Sequence, residues 1–428
     1  MTTGLWRERD FMKLWAGQAV SELGTVVTRT ALPIAAVLLL GATPIQMALL
    51  LTSASAAVLL FGLVAGAWID RLRRRPIMIG ADAVRAVAIG SVPAAAFAGV
   101  LRMEHLYAVV FVEAALGAAF DAAYRSYLPS LVGRKRLVEG NSRLEMASAV
   151  AEIGGPGLGG GLVQVVTAPL ALLVDAFSFV VSAVSLALIR TPEPRVVASA
   201  DRGSIASEIG EGLRFVWRER TVRAMTAGGV VNRFFGGFYV LYTIYALNEL
   251  HLPPILLGAV VSAGGVGSLV GAALAPRLGM RLGTGRAILI PWSASVALGV
   301  LTPLAAGPPL VAALFLFVPQ LLGDGLATAG IVNLVALRQA VTPDALLGRV
   351  AATREVLFEA VAPAGAFAGA AVAEAMGIRG AFAVAVAGMA LGVGIWWASP
   401  MRAVRRLPAQ PAAAALPGVL PAAGEVGP

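Results

Sequence analysis

The chain has 428 residues, of which 58% are hydrophobic and 13% are charged, about half the charged fraction of a soluble domain. The mean hydropathy of +0.82 excludes a water-soluble globular protein, because too few polar side chains remain to cover its surface. The absence of cysteine excludes disulfides and thiol chemistry, and the meaning of the net charge of +9 depends on where the basic residues lie.

Twelve apolar runs of membrane-spanning length follow one another along the chain. A helix needs about 20 apolar residues to cross the hydrocarbon core, and a helix satisfies its own backbone hydrogen bonds in lipid. The runs cover residues 14–40, 46–69, 77–100, 104–127, 146–167, 169–189, 221–247, 255–276, 287–305, 309–337, 351–373 and 379–399. The sequence therefore predicts an all-α membrane protein with twelve transmembrane helices.

The connections between these runs alternate between short, nearly neutral segments and longer basic segments. The basic set carries 28 of the 33 lysines and arginines, the other set carries Arg102 and Arg379, and the rest lie inside spans. Basic loops remain on the cytoplasmic face, so both termini are predicted to be cytoplasmic. We expect a multi-pass protein of the inner or plasma membrane.

The longest polar connection, residues 190–223, divides the spans into two sets of six. It contains IASEIGEGLRFVWRER, whose apolar residues recur at helical spacing and predict a short amphipathic helix at the membrane surface. Similar loop sequences in the two sets indicate two pseudo-symmetric six-helix bundles with a site between them. We expect an N-terminal bundle at 1–190, a cytoplasmic linker at 191–220, a C-terminal bundle at 221–400 and a disordered tail at 401–428.

The stretch GAWIDRLRRRP, residues 66–76, ends the second span with a dense group of charges. Its arginines anchor the end of the helix on one side of the membrane. Membrane orientation does not require Asp70, whose carboxylate can pair with arginine or accept hydrogen bonds from a helix N-terminus. The stretch resembles the loop between the second and third helices of the major facilitator superfamily, with Arg73 in place of a second glycine. The resemblance implies a latch between the two halves on the cytoplasmic side. The matching positions are Gly66, Asp70, Arg71, Arg74 and Arg75.

The fifth span contains EIGGPGLGGG, in which Gly155 and Pro156 precede Gly159 and Gly160. Small residues let helices approach closely and proline kinks a helix, so ordinary packing is one interpretation. The run also resembles the Gly-Pro-x-x-Gly-Gly pattern of exporters in the superfamily. FMKLWAGQAVSELGTVV and LRQAVTPDALLGRV are similar to the branch that contains the enterobactin exporter and the macrolide efflux proteins. The resemblance implies the major facilitator fold and export.

Six ionisable residues lie within spans one, four, seven and ten, where a charge costs about 2.5 kcal/mol or more. In the superfamily these four helices line the central cavity, so the resemblance implies a substrate or proton pathway. We expect Arg29 to pair with Glu22 or Glu113, either as a structural bridge or as a cation that senses a titrating acid. The six are Glu22, Arg29, Glu113, Asp121, Arg233 and Asp324.

Further acids lie in other spans. Glu152 and Glu359 superpose when the prolines of spans five and eleven are aligned, and we expect them near the surface with a structural or gating role. Asp82, Arg85 and Asp175, in spans three and six, are expected to be packing elements.

Aromatic residues are concentrated in span seven. Together with Asn232, the residues Phe234, Phe238 and Tyr242 predict an apolar pocket for an amphipathic molecule. The alternative is that these aromatic side chains face lipid or pack against other helices.

No metal-ligand spacing, Walker A sequence or nucleophile–base arrangement is recognisable, and the basic segments are too short and dispersed for nucleic-acid binding. We therefore expect no enzyme activity, no cofactor, no metal ion and no use of ATP. The expected function is export of small amphipathic molecules by alternating access, as a monomeric, proton-coupled antiporter. The alternatives are uptake or exchange of an organic anion or nutrient, with Arg29 and Arg233 binding its carboxylate, and a non-transporting receptor or scaffold.

Overall fold

The computed structural model describes residues 4–69, 72–193 and 205–408, with the backbone alone described at 62–69, 134 and 205–208. Within these ranges the chain consists of helices joined by short turns, and no strand occurs. This confirms the all-α fold predicted from the sequence.

The first half of the chain contains six long helices. Several end at a glycine with positive φ, such as Gly41 (59°) after the first helix and Gly133 (75°) after the fourth, a conformation that glycine adopts without steric cost. The helices are α1 (Arg9–Leu40), α2 (Pro44–Ile69), α3 (Arg74–Phe97), α4 (Met103–Val132), α5 (Leu137–Val166) and α6 (Ala168–Ala187).

The second half contains helices that are interrupted more often. Tight or wide turns continue two of them, at Gly237–Leu241, Tyr245–Glu249 and Pro319–Gly323. The helices are α7 (Ile205–Arg218), α8 (Arg220–Gly236), α9 (Tyr242–Ile244), α10 (Pro254–Leu282), α11 (Thr284–Gly299), α12 (Leu301–Leu304), α13 (Pro309–Val318), α14 (Asp324–Val341) and α15 (Leu347–Trp397).

Nine helices in the described ranges are long and apolar enough to cross a membrane. One of the nine, Asp344–Trp397, contains two of the expected spans, because Gly377 adopts a φ of 78° within α15. α5 and α8 are not among the nine. The count of twelve spans and the cytoplasmic position of the termini stay predictions.

The basic connections of each half gather at one end of the bundle, which we call the basic end. In the first half, Asp10 at the start of α1 accepts a hydrogen bond from the backbone N–H of Thr191 (2.9 Å), beyond α6. In the second half, the N–H of Gly285 donates to the carbonyl of Val404 (2.8 Å). We call the opposite end of the bundle the far end.

Helices α5 and α10 run antiparallel across the boundary between the halves. A Cβ on Gly160 would lie 3.0 Å from Cα of Gly258, and a Cβ on Gly265 would lie 3.1 Å from Cα of Ile153. The start of α5 therefore lies beside the end of α10, and the basic ends of both halves point the same way.

Buried apolar side chains show where the halves join. At the far end, one cluster combines Leu32 and Leu172 of the first half with Leu257 and Phe382 of the second. At the basic end, the described buried side chains form separate clusters. The first half contributes Phe11, Met78, Tyr127 and Leu186, and the second contributes Ile288, Leu337, Trp396 and Met401. The halves therefore share a core at the far end and have separate cores at the basic end.

Helix α7 occupies most of the expected amphipathic segment. Val216 is buried, and Gly212 lies against the backbone of Arg349 at the start of α15. Leu213 and Trp217 are exposed by 45% and 70% on the other face. α7 thus rests on the second half and directs two apolar side chains outward.

The start of α3 is fixed to the end of α6 by Glu193. Its carboxylate accepts hydrogen bonds from the backbone N–H groups of Arg74 (2.7 Å) and Arg75 (3.3 Å). The guanidinium of Arg75 donates to the carbonyls of Leu186 (2.8 Å) and Ala187 (2.5 Å). An acid at a helix N-terminus satisfies backbone donors that have no partner within the helix.

Replacing Glu193 tests this cap. Glu193→Ala should reduce the free energy of unfolding by about 1.5–3 kcal/mol, because it removes hydrogen bonds to a charged group. Thermal unfolding of the detergent-purified protein should show a lower melting temperature. The matched control is Glu145→Ala, since Glu145 is exposed and makes no hydrogen bond or ion pair within the described residues. Equal melting temperatures for the two variants would contradict the cap.

Candidate functional site

A cavity of about 380 Å³ lies at the boundary between the halves and is called the central cavity here. Helices α1, α2 and α4 form its walls on the side of the first half, and residues 239–243 close it from the second half. Arg29 and Glu113 line it among mostly apolar side chains, including Leu32 and Met47. Two of the six predicted intramembrane charges therefore lie beside this cavity.

Two arginine–glutamate pairs occupy equivalent positions in the two halves. Arg29 Nη1 lies 2.9 Å from Glu152 Oε1 and joins α1 to α5. Arg233 Nη2 lies 2.8 Å from Glu359 Oε1 and joins α8 to α15. The side chains of the first pair are 62% and 51% exposed, and those of the second pair are 43% and 17% exposed.

The expected position of Glu152 and Glu359 near the surface is wrong. α5 begins at Leu137 and α15 at Leu347, ahead of the apolar runs from which the spans were predicted. At 1.5 Å per residue, the two acids lie about 22 and 18 Å along their helices. They therefore lie level with Arg29 of α1 and Arg233 of α8, the arginines with which they pair.

Glu359 also connects the two halves. The hydroxyl of Ser55 on α2 donates a hydrogen bond to Glu359 Oε2 (3.0 Å). The carboxylate thus binds an arginine of its own half with one oxygen and a hydroxyl of the other half with the second oxygen. No sequence pattern singled out Ser55, because a serine in an apolar span is common.

The expected pairing of Arg29 with Glu113 is wrong. Glu113 Oε1 lies 2.6 Å from Nη2 of Arg85. Nη1 of the same arginine lies 3.6 Å from Asp82 Oδ1, and its Cζ lies 4.0 Å from the ring centre of Phe179. Arg85 is buried between α3, α4 and α6, whereas Arg29 faces α5. Glu113 therefore belongs to the interior of the first half as well as to the cavity wall.

The interior of the first half contains a second buried acid. Asp82 and Asp175 are both fully buried, and the hydroxyl of Ser178 donates to Asp175 Oδ1 (3.0 Å). A Cβ on Gly24 would lie 2.6 Å from that oxygen. Glycine in α1 therefore provides the space for the carboxylate.

The remaining predicted acids differ in their surroundings. Glu22 lies within electrostatic range of Arg29, Glu152 and Asp121, on the basic side of the central cavity. Glu22 and Asp121 therefore share the charged environment around Arg29.

Asp324 has no ion pair or hydrogen bond within the described residues. It lines two cavities together with Gln320. The lateral crevice, about 420 Å³, lies between α5 and α10, and the aromatic chamber, about 300 Å³, lies inside the second half. Gln320 was not predicted from the sequence, although a glutamine within an apolar run is a signal that could have identified it.

The predicted aromatic pocket is only partly correct. Phe238 is buried, and its ring packs 6.3 Å from that of Phe234, while Gly365 and Gly369 of α15 press against the backbone of both residues. Phe234 and Phe238 are therefore packing residues, which was the alternative interpretation. Tyr242 does line a cavity, the aromatic chamber.

Asn232 lies away from the aromatic chamber. Its amide donates to the carbonyl of Gly228 one turn earlier (2.9 Å), and it lines a cavity of about 470 Å³ with Arg233, Arg338 and Arg354. The prediction that Asn232 shares a pocket with Tyr242 is wrong, because the two residues are ten positions apart along the interrupted helix and line different cavities.

The glycine–proline run of α5 contacts helices of both halves. Gly155 and Gly159 face α1, where a Cβ would lie 2.5 Å from Val26 and 3.2 Å from Thr30. Gly160 presses against the carbonyl of Pro254 at the start of α10. The run therefore lets α5 lie close to its own half and to the opposite half at once.

The same contact contains one hydrogen bond across the boundary. The backbone N–H of Gly157, one residue after Pro156, donates to Ser262 Oγ (2.8 Å). A proline inside a helix removes a backbone donor and clashes with the carbonyl four residues earlier, which distorts the helix locally, and here the next N–H bonds to Ser262 of the other half. Together with Ala48 of α2, which packs on Ala366 and Ala370 of α15, this contact closes the far end.

The predicted cytoplasmic latch stays untested. Gly66, Asp70 and Arg71 lie outside the described side chains. Arg74 and Arg75 bind Glu193 and the end of α6, within the first half. No group of three or more metal-binding side chains occurs in the described ranges.

Comparisons with known proteins agree with this architecture. Residues 14–348 match the family model of the Major Facilitator Superfamily. The chain is 31% identical over 321 residues to the multidrug efflux pump Tap of Mycolicibacterium fortuitum, a match that spans 71% of this chain and 74% of that protein. It is 25% identical over 271 residues to macrolide efflux protein A of Streptococcus pyogenes, spanning 62% of this chain and 65% of that protein, less than two thirds of the relative's length.

Among solved structures, the crystal structure of a bacterial homologue of the iron transporter ferroportin in its inward-facing state superposes with a TM-score of 0.75. The two chains share 19% identity, and the superposition covers 92% of this chain and 98% of the other, which shows a common fold. The comparisons confirm the family and the efflux branch that the sequence motifs indicated.

Breaking the buried Arg85–Glu113 pair and breaking the exposed Arg29–Glu152 pair should reduce the free energy of unfolding by different amounts. Glu113→Gln should destabilise the protein by about 3–5 kcal/mol, because it leaves the buried Arg85 without its closest partner. Glu152→Gln should cost less than about 1 kcal/mol, because its pair with Arg29 is exposed. Melting temperatures of the two purified variants make the comparison. A similar loss in both, or a larger loss for Glu152→Gln, would show that burial does not separate the pairs.

Proposed function

The chain belongs to the Major Facilitator Superfamily and is a multi-pass transporter of the plasma membrane, and from this premise we propose that it exports small amphipathic molecules by alternating access. The observation that carries the proposal is the arrangement of the halves, which share a core at the far end and have separate cores at the basic end. If the basic end is cytoplasmic, as the arginine distribution predicts, the cavities load from the cytoplasm.

The lining of the cavities supports an amphipathic substrate. The central cavity has mostly apolar walls and presents Arg29, Glu113 and three threonines. Sites of this composition bind molecules with an apolar body and a few polar groups. The two relatives named above are a multidrug and a macrolide efflux protein, and export of amphipathic molecules agrees with both names.

The contact between α5 and α10 supports alternating access. It depends on backbone-to-backbone approach at Gly160 and Gly258 rather than on interlocking large side chains. At this point the helices separate without disengaging large side chains. Opening of the far end also requires the rupture of the Gly157–Ser262 hydrogen bond, of the alanine contact between α2 and α15 and of the apolar core that the halves share there.

Proton-coupled antiport is the form of coupling that the charge arrangement favours. Glu152 and Glu359 are the partners of exposed arginines beside the cavities. Protonation of either carboxylate removes its charge and releases its arginine. At Glu359 the same event alters the hydrogen bond from Ser55 in the other half, which couples protonation to contact between the halves.

Uptake of an organic anion is disfavoured by the same pairs. That alternative requires Arg29 and Arg233 to bind the substrate's carboxylate, but each is already paired with a glutamate. An anion would have to displace a carboxylate held on the same protein, at a cost in desolvation.

Transport in inside-out membrane vesicles tests the proposed function. Vesicles that contain the protein should accumulate a fluorescent amphipathic dye when a pH gradient, acidic inside, is applied, and an uncoupler should abolish the accumulation. Vesicles without the protein are the control. Accumulation equal to that of the control vesicles, over a panel of amphipathic dyes, would contradict export.

Adjacent glycines of α5 provide a matched pair for the same assay. Gly160→Ala should strongly reduce dye accumulation, because its Cβ would meet the carbonyl of Pro254 and lie 3.0 Å from Cα of Gly258. Gly161→Ala should retain accumulation, since no neighbouring atom lies within 4 Å of its Cβ position. Equal transport by both variants would show that close approach of α5 and α10 is not required.

A further inference from the structure

We propose that the aromatic chamber binds organic cations, with Asp324 as the counter-charge and with tyrosine and tryptophan rings as the walls. The ligand class is a monocationic molecule whose remaining body is aromatic or apolar. This inference rests on the proposed function, because it names a substrate class for the exporter.

Asp324 differs from the paired acids in the membrane. Glu152 and Glu359 each have an arginine within 3 Å, and Glu113 has Arg85 at 2.6 Å. Asp324 makes no ion pair and no hydrogen bond within the described part of the chain. A carboxylate at this depth is costly unless a cation or a proton accompanies it, and the protein supplies no such cation in the described residues.

The chamber beside Asp324 has the size and lining of a small-molecule site. Its volume of about 300 Å³ lies at the lower end of the range for ligand pockets, about 300–1,000 Å³. Val296, Leu316 and Val386 provide apolar surface, and Gln320 and Asp324 provide polar atoms on one side. A molecule with about one aromatic ring and a cationic group fits a chamber that has apolar walls and polar atoms on one side.

The aromatic walls suit a cation. Tyr239 and Tyr242 stack with ring centroids 6.4 Å apart and planes 24° from parallel, and both line the chamber. Trp292 lines the chamber and packs edge-on against Trp396, with centroids 5.3 Å apart. Ring faces attract cations within about 6 Å, and tryptophan does so most strongly. Asp324 lies within electrostatic range of both tyrosines.

One polar atom of these walls has no partner within the described residues. The indole N–H of Trp292 is buried and makes no hydrogen bond there. Buried polar groups normally find a partner. Trp292 lines the chamber, where a bound molecule would contact it.

The position of Asp324 gives the chamber an entrance. Asp324 and Gln320 also line the lateral crevice, which opens between α5 and α10 on the basic side of the far-end contact. A Cβ on Gly264 would lie 2.5 Å from Asp324 Oδ2 and 2.9 Å from Gln320 Oε1, so this glycine leaves room for the carboxylate. The wide turn at Pro319–Gly323 directly precedes Asp324, and such turns are frequent at functional sites.

Binding of two isosteric probes to the purified full-length protein tests the proposal. The probes are phenyltrimethylammonium, a cation, and tert-butylbenzene, its neutral isostere. Asp324→Asn keeps the shape of the side chain and removes its charge. We expect it to weaken binding of the cation at least about tenfold, which corresponds to about 1.4 kcal/mol, and to leave binding of the neutral probe unchanged.

Three further variants complete the design. Glu374→Gln, an exposed acid of the second half, is the matched control and should bind both probes as the unmodified protein does. Trp292→Leu should weaken binding of the cation more than that of the neutral probe. Gly264→Ala should weaken cation binding by displacing the carboxylate. Melting temperatures identify any variant that fails to fold, and Asp324→Glu, which keeps the charge, should retain preference for the cation.

The outcomes separate the alternatives. Unchanged cation binding in Asp324→Asn overturns the proposal, and if that variant also loses export of every dye, Asp324 carries a proton instead. If Asp324→Asn weakens binding of the cationic and the neutral probe equally, Asp324 contributes to the shape of the chamber and does not recognise the positive charge. That result also overturns the proposal. Charge-selective binding by a protein that exports nothing in the vesicle assay supports the site and contradicts the proposed function, so the two failures are distinguishable.

Discussion

A charge within the hydrocarbon needs a partner, and the arrangement of this molecule follows from where each partner lies. Arg85 is buried and holds Glu113 and Asp82, which ties α3 to α4 inside the first half. Arg29 and Arg233 are exposed and hold Glu152 and Glu359 at equivalent positions of the two halves. The buried pair stabilises a half, whereas Arg29 and Arg233 of the exposed pairs line cavities. Asp324 makes no such pair in the described residues and lies beside a chamber with aromatic walls.

Small residues determine where the halves meet. Gly155 and Gly159 let α5 approach α1, and Gly160 lets it approach α10. Alanines play the corresponding role between α2 and α15. The halves are joined at the far end by these close contacts and by a shared apolar core, and they have separate apolar cores at the basic end. The exposed charge pairs lie between these two levels, and Glu359 also accepts a hydrogen bond from Ser55 of the other half.

Much of this architecture could be predicted from the sequence. The apolar runs predicted the helices, and the glycine–proline run in α5 indicated a close helix contact. The partners of the charges could not be predicted, because spacing along one helix does not reveal how that helix is rotated against its neighbours. Arg29 therefore faces Glu152 instead of Glu113. The depth of Glu152 was misjudged because α5 extends beyond its apolar run, to Leu137. Phe238 was misjudged because an aromatic stripe fits a pocket and a packed interface equally well.

The central claim is that transport requires the far-end contact between α5 and α10 to open. The chain has no cysteine, so Gly157→Cys and Ser262→Cys introduce a unique pair. A Cβ on Gly157 would lie 3.9 Å from Cβ of Ser262, within the range of about 3.5–4.5 Å for a disulfide. Dye export by the double variant should stop on oxidation and return on reduction, while each single variant should be insensitive to both. Full export by the oxidised, fully cross-linked protein would contradict the account.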